Sequence, residues 1–316
     1  MIDRLIEEIR KKGNPIVVGL DTRLEYIPLE FQKSHWQDGE VDLSVAGKII
    51  YEYNKAIVDH VWDLVPAVKL QMACYEMYGL PGMEAFQKTC SYARKKGLLV
   101  IGDGKRNDIG TTAEAYSAAY LGYTPLTEEN DHQAFPLDFI TINPYLGYDG
   151  VHPFISNAEK YNKGLFILVK TSNPSSGQFQ DLKVNGDRLY ELVGDYVRQW
   201  GLHLVGKFGY SRVGAVVGAT YPRQGEELRK RMSGVFFLVP GYGAQGASGE
   251  DLTGFFDEDG LGAIINSSRN ILCAYRKKPW IKQYSPSQFA QAARKELLMM
   301  GEDIRSSLKK VAKLTY

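Results

Sequence analysis

The sequence predicts an α/β protein of the (β/α)8 type, a TIM barrel, and three observations predict it. Eight short runs rich in Val, Ile and Leu recur along the chain without polar alternation, as expected of parallel strands covered on both faces. Helical patterns fill most of the intervals between them. Polar or charged residues follow every run but the sixth, where a barrel enzyme collects its chemistry.

The elements follow in order. Residues 1–12 read as an amphipathic helix with Ile2, Leu5, Ile6 and Ile9 on one stripe. The strand candidates are 16–20, 67–70, 98–101, 139–142, 165–169, 213–217, 235–239 and 263–265, and the clearest helices 43–64, 83–95, 112–121 and 188–200. Thr111 and Glu114 fit a capping box opening the third of these helices. The N-terminal helix, a loop over 23–40 and a C-terminal helix over about 287–310 are additions to the barrel. No internal repeat or low-complexity linker divides the chain, so residues 1–316 read as one domain.

Composition excludes several classes. Basic and acidic residues number 38 and 37, so no global field attracts nucleic acid. No stretch approaches the length of apolar residues that a membrane helix needs, and the N-terminus lacks a signal peptide's apolar core. A soluble, cytoplasmic protein is expected. Cys74, Cys90 and Cys273 are odd in number and far apart, against a disulfide framework or zinc spacing, and no H-x-x-x-H pair occurs. No His/Cys metal site is expected.

The most informative stretch is Val100-Ile101-Gly102-Asp103-Gly104-Lys105-Arg106-Asn107-Asp108-Ile109-Gly110. Residues i and i+2 of a strand face the same way, so Asp103 and Lys105 are expected on one face, where both must be paired. An ordinary surface ion pair explains most isolated D-x-K triplets. Here the other strand ends add Asp21, Lys69, Asn143, Lys170-Thr171-Ser172-Asn173, a glycine-rich loop from Gly241 to Gly246, and Asn266-Ser267-Ser268-Arg269. Barrels often bind phosphate with the loops after strands seven and eight. The first offers backbone N–H groups and the Gln245 amide, the second the Arg269 guanidinium, which predicts a phosphorylated ligand. Gly241-x-Gly243-x-x-Gly246 also matches a dinucleotide fingerprint, but Gly249, Gly254 and Gly260 interrupt the helix that a Rossmann unit needs.

Taken together, Asp103-x-Lys105-x-x-Asp108-Ile109, Val68-Lys69, Gly19-Leu20-Asp21, Thr171-Ser172-Asn173-Pro174, Pro240-Gly241-x-Gly243-Ala244-Gln245-Gly246 and Ser268-Arg269 resemble orotidine 5'-phosphate decarboxylase. The run from Gly104 to Ala113 and the length resemble its longer bacterial type. The resemblance implies metal- and cofactor-free decarboxylation of orotidine monophosphate to uridine monophosphate by a homodimer, the last step of de novo pyrimidine synthesis. It implies that Lys69, Asp103, Lys105 and Asp108 form a charged catalytic array, with Asp108 and Thr112 donated by the partner subunit. Lys105 would protonate C6, Asp21 and Lys69 would grip ribose, Ser172 the pyrimidine edge, and Gln245, Gly246, Ser268 and Arg269 the phosphate.

Two other readings fit parts of the sequence. Magnesium-dependent sugar-phosphate decarboxylases and aldolases of the same superfamily resemble the chain at D-x-K and the phosphate corner. They are expected to carry an extra acid at the end of strand two, where this chain has Lys69-Leu70-Gln71-Met72. A catalytically silent nucleotide-binding protein is the other reading, and all four charged residues argue against it.

Overall fold

In the computed structural model, residues 1–36, 42–127, 130–243 and 246–313 are described. The eight apolar runs form parallel strands β1 (Ile16–Gly19), β2 (Ala67–Gln71), β3 (Leu99–Arg106), β4 (Phe139–Ile142), β5 (Gly164–Lys170), β6 (Val213–Val217), β7 (Phe237–Pro240) and β8 (Ala263–Ser267). Each bonds to its neighbours in sequence and β8 returns to β1, Val17 pairing with Asn266, so the sheet closes. Closure through β7 and β8 removes the dinucleotide reading, since those strands complete a barrel rather than open a Rossmann sheet.

The helices are α1 (Ile2–Lys12), α2 (Leu43–Val61), α3 (Gly79–Lys95), α4 (Gly110–Tyr120), α5 (Tyr148–Lys160), α6 (Leu189–Trp200), α7 (Pro222–Arg231) and α8 (Phe289–Lys310), with shorter turns between them. The strands bury both faces, which gives the fold two apolar layers. The outer layer lies between strands and helices. The inner one fills the N-terminal half of the barrel with Val17, Ala67, Leu99, Ile101, Phe139, Phe166, Phe236 and Ile264.

Helix α1 closes that inner layer from below. Its predicted stripe, Ile2, Leu5, Ile6 and Ile9, is buried against the barrel interior. Burying four such side chains contributes at most about 6–12 kcal/mol. That far exceeds the intrinsic stability of an eleven-residue helix, so α1 is held by packing. At the other end of the chain α8 packs across α2, where Phe289 stacks on Tyr53 with ring centroids 4.6 Å apart. The predicted loop over 23–40 contains a 3-10 turn, Leu24–Tyr26, and a short helix, Leu29–Lys33, while its last residues lie outside the described ones.

One local prediction fails. Thr111 and Glu114 do not cap α4, which starts at Gly110 with Ile109 at its N-cap and no side-chain cap. Gly110 takes φ +53°, so the chain turns into the helix one residue earlier and Thr111 falls in the first turn. Among the described residues no helix is long and apolar enough to cross a membrane.

Candidate active site

The C-terminal strand ends enclose a cavity of about 550 Å³ whose lining includes Asp21, Lys69, Gln71, Asp103, Lys105, Thr141, Ser172 and Asn266. That size suits a small-molecule site. Its centre is the Asp103 carboxylate. Oδ2 accepts from Lys69 Nζ at 2.8 Å and from Gln71 Nε2 at 3.1 Å, while Oδ1 accepts from Lys105 Nζ at 2.6 Å and from Thr141 Oγ1 at 2.9 Å. Lys69 Nζ also reaches Asp21 Oδ1 at 3.2 Å. The sequence places Lys69 near the end of β2 and Asp103 on the adjacent β3, where the register pairs Lys69 with Ile101 and Gln71 with Asp103.

Burial and pairing compete at both buried charges. Burial by itself would push the Lys69 ammonium down, but Asp103 and Asp21 outweigh it and hold the lysine well above its ordinary range. Burial would likewise raise the Asp103 carboxyl, yet Lys69 and Lys105 prevail and hold it far below the usual carboxylate range. Lys69 and Asp103 therefore remain ionised across neutral pH.

The sign of that coupling gives a stability test. Because its folded-state pKa is depressed, ionised Asp103 contributes stability that is complete above about pH 5 and lost as the pH falls through and below about 4. Lys69, with a raised value, contributes at every pH below the ordinary lysine value and loses this only in strong alkali. Asp103→Asn is expected to be less stable at pH 7 by about 3 kcal/mol, because the buried ammonium keeps only Asp21. Between about pH 5 and 3 it should lose less stability than the unsubstituted chain. Urea midpoints across that range measure both, and parallel curves for the two proteins would refute the assignment.

The expected pairing of Asp103 with Lys105 is present, but not because a regular pleat puts them on one face. The ladder between β3 and β4 runs Gly102 to Ile140 and resumes at Arg106 to Ile142, and Lys105 has φ +48°. A bulge breaks the two-residue alternation and re-aims the lysine.

The remaining predicted residues are spread around this centre. Ser172 lines the cavity on a segment fastened at its base. There Thr171 N–H donates to Gln180 Oε1 at 3.0 Å, and Lys170 Nζ pairs with Asp181 at 2.8 Å. Lys170 is buried, its Nζ 5.0 Å and 5.2 Å from the ring centres of Tyr221 and Tyr190. Asp108 and Thr112 do not line this cavity: Asp108 is half-buried, accepting from the Ile109 N–H at 2.8 Å, and Thr112 is exposed on α4.

At the corner where phosphate is expected, Arg269 is exposed and begins the turn Arg269–Leu272 after β8, with Ser268 half-buried beside it. Gly19 is required there, since a Cβ would lie 1.8 Å from Ser268 Oγ. Gln245 lies outside the described residues. The glycine loop departs from expectation at Gly243 and Gly246, whose N–H groups donate within the loop to Ala247 and Gly243 carbonyls. These two donors close a turn rather than stand open to an anion.

Sequence reasoning missed Gln71, Thr141 and Asn266 as site residues. Gln71 was visible as a polar residue ending strand two, and Asn266 as one ending strand eight. Asn266 Oδ1 is buried without a hydrogen-bond partner among the described residues. Thr141 had only a weak signal, a hydroxyl within an apolar run. Glu76, the first acid beyond β2, pairs with Arg106. Among the described residues no three His, Cys, Asp or Glu side chains are placed to hold a metal ion.

Comparison with known proteins agrees on one family. The family described as "Orotidine 5'-phosphate decarboxylase / HUMPS family" matches residues 14–284. The orotidine 5'-phosphate decarboxylase of Caldicellulosiruptor bescii is 46% identical over 291 residues, covering 92% of this chain and 93% of the relative. That of Petrotoga mobilis is 43% identical over 308 residues, with 97% and 98% covered. Among solved structures, the OMP decarboxylase of Leishmania donovani superposes with a TM-score of 0.73 at 26% identity, covering 98% of both chains.

Proposed function

The chain belongs to the orotidine 5'-phosphate decarboxylase / HUMPS family, and from that membership we propose that it converts orotidine 5'-monophosphate to uridine 5'-monophosphate and CO2, with Lys105 as general acid. The observation that carries the proposal is the Lys69–Asp103–Lys105 array, held at 2.6–2.8 Å spacing within a ligand-sized cavity. Breaking the bond from C6 to the carboxylate leaves an electron pair on C6, with no neighbouring group able to disperse it. A fixed ammonium aimed at that carbon stabilises the developing charge, and such preorganised electrostatics is usually the largest catalytic contribution. Lys105 then delivers a proton to C6.

Asp103 has two roles here. It holds the Lys105 ammonium in place, and its negative charge sits where the departing carboxylate must lie. Asp21 and Lys69 bind ribose hydroxyls, Ser172 the pyrimidine edge, and Arg269 with Ser268 and Gln245 the phosphate, while the Gly246 N–H, engaged within its own turn, drops out of the expected phosphate set. The phosphate contacts lie away from the reacting carbon, so their binding energy is available to assemble the site around the nucleotide. Asp108 and Thr112, absent from the lining of this chain's own cavity, complete that of a second copy in a homodimer. The balanced charge and the lack of a membrane-crossing helix among the described residues suit a cytoplasmic biosynthetic enzyme.

The test is loss of ultraviolet absorbance on turnover of orotidine monophosphate in the presence of EDTA. Turnover with chelator supports the metal-free reaction. Turnover that needs added magnesium would point to the metal-dependent branch, and nucleotide binding without turnover to a silent protein.

A further inference from the structure

Thr141 sits in the middle of β4 and is fully buried, in the run Phe139-Ile140-Thr141-Ile142. Valine or isoleucine would fill the same space, and a buried hydroxyl is costly unless it is bonded. Both of its bonds go to the site. Its oxygen donates to Asp103 Oδ1 at 2.9 Å and accepts the backbone N–H of Lys105 at 3.0 Å.

The register explains why this position needs a hydroxyl. Between the Gly102–Ile140 and Arg106–Ile142 pairs, three residues of β3 face Thr141 alone. The bulge removes Lys105 from the regular ladder and puts its backbone in the left-handed region at φ +48°, strained for a side-chain-bearing residue. The threonine oxygen replaces the missing ladder acceptor. It also shares Asp103 Oδ1 with the Lys105 ammonium, 2.6 Å from that oxygen. One hydroxyl thus fastens Lys105 by its backbone and, through Asp103, by its side chain.

We propose that Thr141 is a positioning residue for the decarboxylation, holding Lys105 and Asp103 in the geometry that protonates C6; this rests on the reaction proposed above. Its effect falls on the chemical step rather than on nucleotide affinity, because the Thr141 hydroxyl bonds to Lys105 and Asp103, the two groups that act on the reacting carbon. Thr141→Val keeps the shape and removes both bonds. It is expected to lower kcat about 10- to 100-fold, the equivalent of losing roughly one charge-assisted hydrogen bond. Thr141→Ser, which keeps the hydroxyl, should stay within about threefold of the unsubstituted kcat, and Kd for uridine monophosphate should be nearly constant across the series.

The experiment measures kcat and KM for orotidine monophosphate, with uridine monophosphate Kd and melting temperature, for the unsubstituted chain and both variants. A selective fall in kcat for valine, restored by serine, supports the role. An unchanged kcat for valine, parallel losses in kcat and Kd, or a serine variant no better than valine would overturn it. If the valine variant does not fold, Thr141→Ala takes its place, and failure of both to fold would make Thr141 a folding residue and end the proposal. An unsubstituted chain without turnover would instead sink the reaction itself, and this role with it.

Discussion

Lys105→Ala is expected to lose at least about 10³-fold in kcat while still binding uridine monophosphate, since it removes a general acid and a fixed cation together. The fold should survive. The Lys105 side chain is 43% exposed, and without it Asp103 still accepts from Lys69, Gln71 and Thr141. Little change in melting temperature is therefore expected alongside the catalytic loss, in contrast to Asp103→Asn. Steady-state kinetics with uridine monophosphate titration measures both. A variant keeping a tenth of the unsubstituted kcat would remove Lys105 from the chemistry.

A second large effect concerns Asp108. If it completes the partner's site, Lys105→Ala and Asp108→Ala chains, each inactive alone, should regain activity when dissociated and reassociated together. A mixed dimer has one site carrying both defects and one carrying neither. Random, complete exchange with independent sites then gives about one quarter of unsubstituted activity. Mixed dimers that form and remain inactive would place Asp108 in its own chain's site.

Much of this architecture was legible because burial on both faces leaves a plain mark in sequence. The runs at 139–142 and 213–217 match β4 and β6 at both ends. Strand β3 was harder. Its apolar part ends at Ile101, yet the strand runs on through polar residues to Arg106, pairing with β2 as far as Asp103 and rejoining β4 at Arg106 after the bulge. Lys69, Asp103 and Lys105 could be paired in advance since buried charge demands a partner. The reason for their meeting could not be foreseen: a bulge depends on the register of two strands, and neither strand's own sequence states it. Thr141 was hidden for the same reason, because its partners lie 36 and 38 residues away. At Thr111 a local capping pattern lost to Gly110, whose left-handed backbone opened the helix earlier.

The α1 helix has a consequence for traffic. With Ile2, Leu5, Ile6 and Ile9 seated in the lower barrel, that end of the tube is corked, and the cavity lies at the opposite, C-terminal end of the strands. Traffic of nucleotide through the lower end of the barrel is blocked by that apolar plug, so exchange with solvent falls to the C-terminal face.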